Sequence, residues 1–342
     1  PSVDRLEDAG LIEQVKPAAG SRGVQTVIRA APKLADRFRG LAGGPRSPWS
    51  SGESLRLRER GGGRFLDYRD NLQTDHMRRD VREQNEAIRG CAIFGAEPAP
   101  LFRSFSGDFE RVGRYYAAGG GWQTLSKDNR ARITLDGETV VELDYSELHP
   151  RLAYAEAGLP YPGGAYDLEG WPRWLSKLAF NIALNAGSAH GAATALTAKR
   201  AMLAHVAGER WIEIEAAHDL HLGHCHEAGR SPYRLAVFAE RQRPGTCSEA
   251  QRQAHRLLDS IQAKHKPIAQ LLCSDAGVRL QRVDAEIACR VMAAMRAQAI
   301  VVLPVHDSFL VAASKGDLLR DAMLWAYAEV TGAQITDFDM IS

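Results

Sequence analysis

The segments Thr139-Val140-Val141-Glu142-Leu143-Asp144-Tyr145-Ser146 and Val305-His306-Asp307-Ser308-Phe309 decide the fold of this chain. In each, β-branched and apolar residues run up to an aspartate, which predicts a strand with a carboxylate at its end. The second aspartate lies between two predicted strands, 300–305 and 309–312. Two carboxylates on neighbouring strands repel each other, and a divalent cation between them removes that repulsion. Spacing alone leaves two interpretations open, a metal-binding pair or two unrelated strand ends.

A helical region is predicted from residue 171 to about residue 205. Apolar residues recur at helical spacing along one face. Another face carries four polar residues in steps of four, namely Arg173, Lys177, Asn181 and Asn185. A guanidinium and an ammonium one turn apart are suited to hold a triphosphate, Arg by its planar fork and Lys as a compact charge. The alternative is a basic pair on a solvated helix.

The order of elements favours the α+β class. Residues 210–275 are predicted to be mostly helical, with a loop near residues 243–245, and strands follow near the end of the chain. Strands and helices are mixed rather than strictly alternating, which argues against a doubly wound parallel sheet.

Five segments together resemble the family A DNA polymerases. Residues 140–146 resemble motif A and residues 305–309 resemble motif C, although the serine after Asp307 is more similar to the related single-subunit, bacteriophage-type RNA polymerases. The helix that begins at Arg173 resembles motif B of the fingers. Two further segments, Gly113-Arg114 with Gln123 and Leu280-Gln281-Arg282, are similar to segments that contact the primer–template duplex in the family. All five lie in the family's order within residues 113–311.

The resemblance implies a right-hand polymerase palm with an antiparallel sheet and helical fingers, in a small, divergent member. It implies a nucleotidyltransferase that extends a DNA or RNA primer with nucleoside triphosphates, most simply a template-directed DNA polymerase. Asp144 and Asp307 would hold two Mg²⁺ ions, replaceable by Mn²⁺, with help from the Tyr145 carbonyl, and Lys177 would be catalytic. Nucleotide contacts are expected from Arg173, Lys177, Tyr145, His149, Asn181 and Asn185, and nucleic-acid contacts from Arg114, Gln123, Gln281, His306 and Arg22.

The chain departs from the family where the sugar of the nucleotide is read. His149 stands in place of the family's glutamate, Asn185 in place of its tyrosine, and Asn181 in place of another aromatic residue. Both His149 and Asn185 can form a hydrogen bond with a hydroxyl group. Two alternative enzyme functions therefore remain: a primase-like or RNA-synthesising polymerase, and a template-independent terminal transferase. A non-catalytic DNA-binding regulator with a relic palm is the alternative from another class.

The N-terminal part resembles the second half of a winged helix. A short helix, strands at 11–15 and 24–28 and a helix at 33–39 place Arg22 at the tip of the wing, where we expect DNA contact. A small α+β cap without a ligand is the alternative. The predicted domains are a winged-helix-like fragment (1–42), a linker with a reduced thumb-like helical region (43–104), palm (105–170), fingers (171–275) and palm again (276–342).

Composition excludes several classes of protein. Hydrophobic residues make up 45% and charged residues 25%, and five scattered cysteines give no disulfide framework. No run of 18 apolar residues and no signal peptide is recognised, so we expect a cytoplasmic, nucleoid-associated protein of a bacterium, phage or plasmid, without a membrane partner. Residues 1–60 carry 11 Lys/Arg against 7 Asp/Glu, a mild basic bias. The His and Cys residues of 218–226 fit no standard zinc spacing, which favours exposed imidazoles at a polar helix end.

Overall fold

The computed structural model describes residues 6–15, 27–34, 52–227, 234–335 and 339–341. The chain divides into two compact units, residues 1–50 with 193–256, and residues 51–192 with 257–342. Every predicted site residue except Arg22 lies in the second unit. Arg22, the predicted wing tip 21–23 and most of the predicted helix 33–39 lie outside the described residues.

The described elements confirm the α+β class. The strands are β1 (Ile12–Val15), β2 (Val27–Ala30), β3 (Leu55–Arg58), β4 (Ile93–Phe94), β5 (Leu101–Ser106), β6 (Asp108–Ala117), β7 (Thr134–Leu135), β8 (Glu138–Asp144), β9 (Leu303–Val305), β10 (Ser308–Ala312) and β11 (Asp339–Ile341). The helices are α1 (Leu72–Gly90), α2 (Lys127–Arg130), α3 (Leu148–Glu156), α4 (Arg173–Asn185), α5 (Ala189–Thr197), α6 (Arg200–Ala207), α7 (Trp211–Glu227), α8 (Leu235–Gln242), α9 (Thr246–Lys264), α10 (Ala276–Arg296) and α11 (Gly316–Thr331). Among the residues described, no helix is both long and apolar enough to cross a membrane.

The larger sheet of the second unit is antiparallel throughout. Its strands lie in the order β4-β7-β8-β10-β9, and β11 also pairs with β8. Strands β9 and β10 form a tight hairpin in which Ser308 pairs with Val305, so that His306 and Asp307 make the turn. His306 has a φ of 59°, a left-handed backbone conformation that such turns require. The hairpin places Ser308 beside Asp144 of β8 and thereby fixes where Asp307 lies.

A second sheet of this unit has three strands, β3, β5 and β6. Strand β5 pairs parallel with β3 and antiparallel with β6, and a bulge near Gly113 interrupts the second pairing. Gly113 has a φ of 71°, and a Cβ at this position would lie 2.7 Å from the Phe105 ring, so a side chain has neither a relaxed backbone nor space there. Helix α1 packs on β3 and β5, and α10 packs on β6.

The described elements can be compared with the predicted domains, whose boundaries stay predictions. The region 43–104, predicted to be a linker and thumb-like helices, contains helix α1 but also strands β3 and β4, and its end at residue 104 falls inside β5. Helix α4, predicted to belong to the fingers, is in the same compact unit as the larger sheet. At the N-terminus the predicted strand pair is confirmed, with β2 described from Val27 to Ala30; residues 24–26 of the predicted strand lie outside the described residues. The winged-helix assignment of this part stays a prediction.

Candidate active site

Sheet register brings the two predicted aspartates together. Asp144 is the last residue of β8, and Asp307 directly precedes β10, its neighbour in the sheet. The Tyr145 backbone N–H donates to the Asp307 carbonyl oxygen at 3.5 Å. We call Asp144 and Asp307 the aspartate pair. The two strand ends are therefore neighbours in the sheet, and metal binding by the pair stays a prediction.

The electrostatics of the aspartate pair fit a cation. Burial and the charge of Asp307 raise the pKa of Asp144 from 3.8 to about 7, although Lys177 opposes the change. The Asp144 Oδ1 atom is buried and has no hydrogen-bond partner among the described residues. A buried carboxylate oxygen without a partner is unfavourable, and hard divalent cations prefer oxygen ligands of this kind. Asp144 and Asp307 are therefore the residues that would hold Mg²⁺ or Mn²⁺.

The raised pKa predicts that the aspartate pair destabilises the metal-free protein above neutral pH. In the unfolded chain Asp144 titrates near 3.8 and in the folded protein near 7. Between these values the folded state binds more protons, so stability falls as the pH rises and is lowest above about pH 7. Replacing Asp144 by Asn should raise the free energy of unfolding at about pH 8 by up to about 4 kcal/mol, at about 1.4 kcal/mol per pKa unit.

Urea unfolding in the presence of EDTA measures this difference. At about pH 4, where the carboxyl group is protonated in the folded protein, Asp144→Asn and the wild-type protein should have nearly equal stability. A stability difference that does not change between the two pH values would contradict the assigned environment of Asp144.

A buried ion pair lies beside the aspartates. The Arg114 Nε atom donates to Asp284 Oδ2 at 2.7 Å, and the side chain of Asp284 is only 3% exposed. Burial alone would lower the pKa of Arg114, but Asp284 and Asp307 outweigh it and raise that pKa. Arg114 Nη2 is also 3.3 Å from His149 Nε2. Arg114, His149 and Asp307 thus lie close together, and Asp284 is a neighbour that sequence reasoning missed.

Helix α4 brings two basic residues to this site, of which Arg173 forms ion pairs with described residues and Lys177 does not. Arg173 donates to Glu147 Oε1 at 2.9 Å and is 3.4 Å from Asp167. Its guanidinium carbon is 5.4 Å from the centroid of the Tyr166 ring, and Lys177 Nζ is 6.0 Å from the same centroid. Lys177 forms no ion pair within the described part of the chain, and its charge acts on Asp144 and His149. The positive charge that remains available beside the aspartate pair is therefore that of Lys177.

Glu147 is a second residue that sequence reasoning missed. Its carboxylate is 8% exposed and accepts hydrogen bonds from the Tyr161 hydroxyl and the Ala165 N–H as well as from Arg173. The residue has a φ of 54°, in the left-handed region, at the start of α3. Glu147 thereby fixes the position of the Arg173 side chain.

Two of the predicted contact residues use their side chains within the fold. The side chain of Tyr145, predicted to touch the nucleotide, is buried against Phe309 and Tyr327, and its hydroxyl donates to the Met323 carbonyl. The side-chain amide of Gln123, predicted to contact nucleic acid, is used for the fold. Its Oε1 accepts from the Ala117 N–H, and its Nε2 donates to the carbonyls of Tyr115 and Pro304.

The remaining predicted residues lie near the junction of α4 and α10 or at the hairpin turn. Asn185 donates to the Asn181 carbonyl at 2.8 Å and accepts from Gln281 Nε2 at 3.2 Å. Helix α10 comes so close that a Cβ at Gly277 would lie 2.4 Å from Asn185 Oδ1. The His306 ring contacts that of Tyr116 at 5.6 Å, and its buried Nδ1 has no partner among the described residues.

The His and Cys residues of α7 do not form a metal site in the described structure. Cys225 Sγ is 3.5 Å from His221 Nε2, and the side chain of His226 is not described. Within the described ranges no group of three or more His, Cys, Asp or Glu side chains is arranged to hold a metal.

Comparison with solved structures gives a distant similarity. No family model matches the sequence, and no curated protein matches it. Among solved structures the chain is similar to the POL domain of Pol1 from M. smegmatis, in complex with DNA primer-template and dNTP. The TM-score is 0.32 and the sequence identity 15%, over 75% of this chain and 48% of that chain. This chain thus spans about half the length of the structure that it matches.

Proposed function

We propose that this protein is a nucleotidyltransferase that extends a nucleic-acid strand with nucleoside triphosphates. The observation that carries the proposal is the aspartate pair, with the buried, unpartnered Oδ1 of Asp144 and its pKa of about 7. A divalent cation bound by such a pair supplies Lewis acidity at a phosphoryl group and lowers the pKa of a nearby hydroxyl. The charge of Lys177, which acts on the same carboxylate, is suited to hold the triphosphate.

The proposed roles of the other residues follow from their partners. Arg173 would exchange the carboxylates of Glu147 and Asp167 for phosphate oxygens, which its planar fork can bind in the same way. Arg114 is held by Asp284 and would present its remaining donors to the growing strand. Both arginines are thus positioned by carboxylates before any substrate binds, which reduces the ordering that binding requires.

The finer proposal is a template-directed DNA polymerase of the family A type. It is supported by the order of the five sequence segments and by the placement of Asp144, Lys177, Arg114 and Asp307 in one site. RNA synthesis is the second candidate because of His149. Burial lowers the pKa of His149 although Asp284 opposes the change, so the imidazole is neutral near pH 7 and offers one donor and one acceptor to a sugar hydroxyl.

A primer-extension assay tests the proposal. A labelled primer is incubated with the protein and Mg²⁺ or Mn²⁺, with dNTPs and NTPs in separate reactions, each with and without a template. We expect metal-dependent extension that EDTA abolishes, and the four reactions separate DNA synthesis, RNA synthesis and untemplated addition. A well-folded wild-type protein that incorporates neither class of triphosphate would contradict the proposal.

Lys177→Ala should lower the rate of the chemical step as well as nucleotide affinity. Charge that develops on the departing pyrophosphate would have no partner in this variant, and one such electrostatic interaction contributes about 10²- to 10³-fold to the rate. Single-turnover incorporation at saturating triphosphate measures the effect. Lys315→Ala, a change at an exposed lysine after β10, is the matched control and should be close to wild type. If Lys177→Ala incorporated nucleotide at the wild-type rate when triphosphate is saturating, Lys177 would contribute to binding only and not to the chemical step.

A further inference from the structure

One face of the three-stranded sheet is half-exposed and carries aromatic and guanidinium groups. The opposite face, with Leu55 and Phe105, is buried, and α1 packs on β3 and β5. Because side chains alternate along a strand, Arg56 of β3, Phe102 of β5 and Tyr116 of β6 share the half-exposed face. Phe102 and Tyr116 are direct partners in the pairing of β5 with β6.

These side chains form a continuous row that ends at the candidate active site. The Arg56 guanidinium lies 3.5 Å from the centroid of the Phe102 ring. Phe102 and Tyr116 are stacked, with centroids 5.7 Å apart and an interplanar angle of 25°. Tyr116 contacts His306 at 5.6 Å, and His306 directly precedes Asp307. We call Arg56, Phe102, Tyr116 and His306 the aromatic row.

A second arginine–phenylalanine couple lies beside the row. The Arg58 guanidinium is 4.0 Å from the centroid of the Phe65 ring, which is 57% exposed. Arg58 follows Arg56 at the next outward position of β3. A planar guanidinium stacked on a ring presents a flat, positively charged surface on which another ring can stack.

The positive charge on this face is not compensated within the described structure. Neither Arg56 nor Arg58 forms an ion pair with a described residue, whereas the nearby Glu53 and Asp70 are paired with Arg78. Burial lowers the pKa of Arg56, and repulsion by Arg58 lowers it further. Two adjacent guanidinium groups without a carboxylate between them are a suitable place for a polyanion.

We propose that the aromatic row, with the Arg58–Phe65 couple, binds single-stranded nucleic acid and leads the strand to the aspartate pair. Bases would stack on the guanidinium–ring couples, and phosphates would lie beside Arg56 and Arg58. A platform of rings and cations is suited to unpaired bases, since a duplex keeps the faces of its bases covered. The part of this inference that leads the strand to Asp307 rests on the proposed function. Binding of the single strand does not depend on catalysis.

Fluorescence anisotropy with a labelled oligodeoxythymidylate of about 12 nucleotides tests the inference, in EDTA and without triphosphate. A parallel series with an oligouridylate of the same length shows whether the protein binds single-stranded DNA or single-stranded RNA more tightly. Phe65→Leu and Phe102→Leu, which keep apolar bulk but remove the ring, should each weaken binding by about fivefold or more. Phe94→Leu is the matched control, because Phe94 is 65% exposed on β4, outside this face.

The salt dependence separates stacking from charge. Arg56→Gln should weaken binding and reduce the slope of log K against log salt by about 0.7 for each phosphate that the variant no longer neutralises. Phe102→Leu should weaken binding with the slope unchanged. Arg320→Gln on α11, a second matched control, should change neither quantity. Circular dichroism and melting temperature confirm that each variant is folded.

The outcomes also distinguish this inference from the proposed function. If the ring variants and the Phe94→Leu control bind the single strand as the wild-type protein does, the inference is overturned, whatever the extension assay gives. Tighter binding of an equally long duplex, unaffected by the ring variants, would overturn it as well. If the ring variants weaken binding while the wild-type protein incorporates no nucleotide, the inference stands and the proposed function fails.

Discussion

Asp307→Asn should abolish nucleotide addition while the protein remains folded. The change keeps the shape of the side chain but removes the charge that, with Asp144, is proposed to hold a divalent cation. Removing one electrostatic interaction with a transition state commonly lowers a rate by about 10²- to 10³-fold, and a decrease at the upper end of this range, about 10³-fold, is expected here. Single-turnover extension of a labelled primer in Mg²⁺ measures it.

The fold of this variant should not suffer, because the charge of Asp307 raises the pKa of Asp144 and thus opposes folding at neutral pH. Its melting temperature in EDTA should equal or exceed that of the wild-type protein. Asp317→Asn is the matched control, since the Asp317 side chain is 98% exposed on α11. Near-normal incorporation by Asp307→Asn would show that the aspartate pair is not the catalytic centre.

Asp284→Ala should be the most destabilising single change at the site. It leaves the Arg114 guanidinium, whose side chain is 18% exposed, without its carboxylate partner. Removing one member of a buried ion pair typically lowers the free energy of unfolding by about 3–5 kcal/mol. Urea unfolding at neutral pH measures this decrease, and Asp317→Ala at an exposed ion pair should lower stability by no more than about 0.5 kcal/mol.

The double variant Arg114→Met/Asp284→Leu separates the effect of an unpaired charge from that of a missing side chain. Two apolar residues of similar volume leave no charge unpaired, so most of the stability should return. Nucleotide addition should not return with it, because Arg114 is proposed to contact the growing strand. If the double variant is as unstable as Asp284→Ala, the damage comes from packing and the ion pair is not its cause.

The local sequence pattern was sufficient to predict the strands that carry the two aspartates. The β-branched residues before Asp144 and the apolar run before His306 predict β8, β9 and β10 within about three residues of their observed limits. The basic face of α4 follows in the same way from a period of about 3.6 residues. These elements depend on side chains close together in sequence, and sequence therefore predicts them well.

The three-stranded sheet was not predicted because its pairing is distant in sequence. Strand β3 pairs parallel with β5, which lies more than 40 residues later, and helix α1 stands between them. The buried face of the sheet also includes Arg103, a charged residue that interrupts the apolar alternation of β5. Without the partner strands in view, residues 43–104 resemble a linker and a charged helix.

Sequence by itself determined which residue types this protein offers for its candidate site: two strand-end aspartates, a lysine and an arginine one turn apart, and a histidine. Only the tertiary structure decided which of these side chains meet. The turn after β8 directs Tyr145 into the core, and the packing of α10 on β6 brings Asp284 to Arg114. An acid among the apolar positions of α10 was the one available signal for Asp284. Its partner could not be predicted because burial, which makes the pair necessary, is a property of packed elements and not of either segment alone.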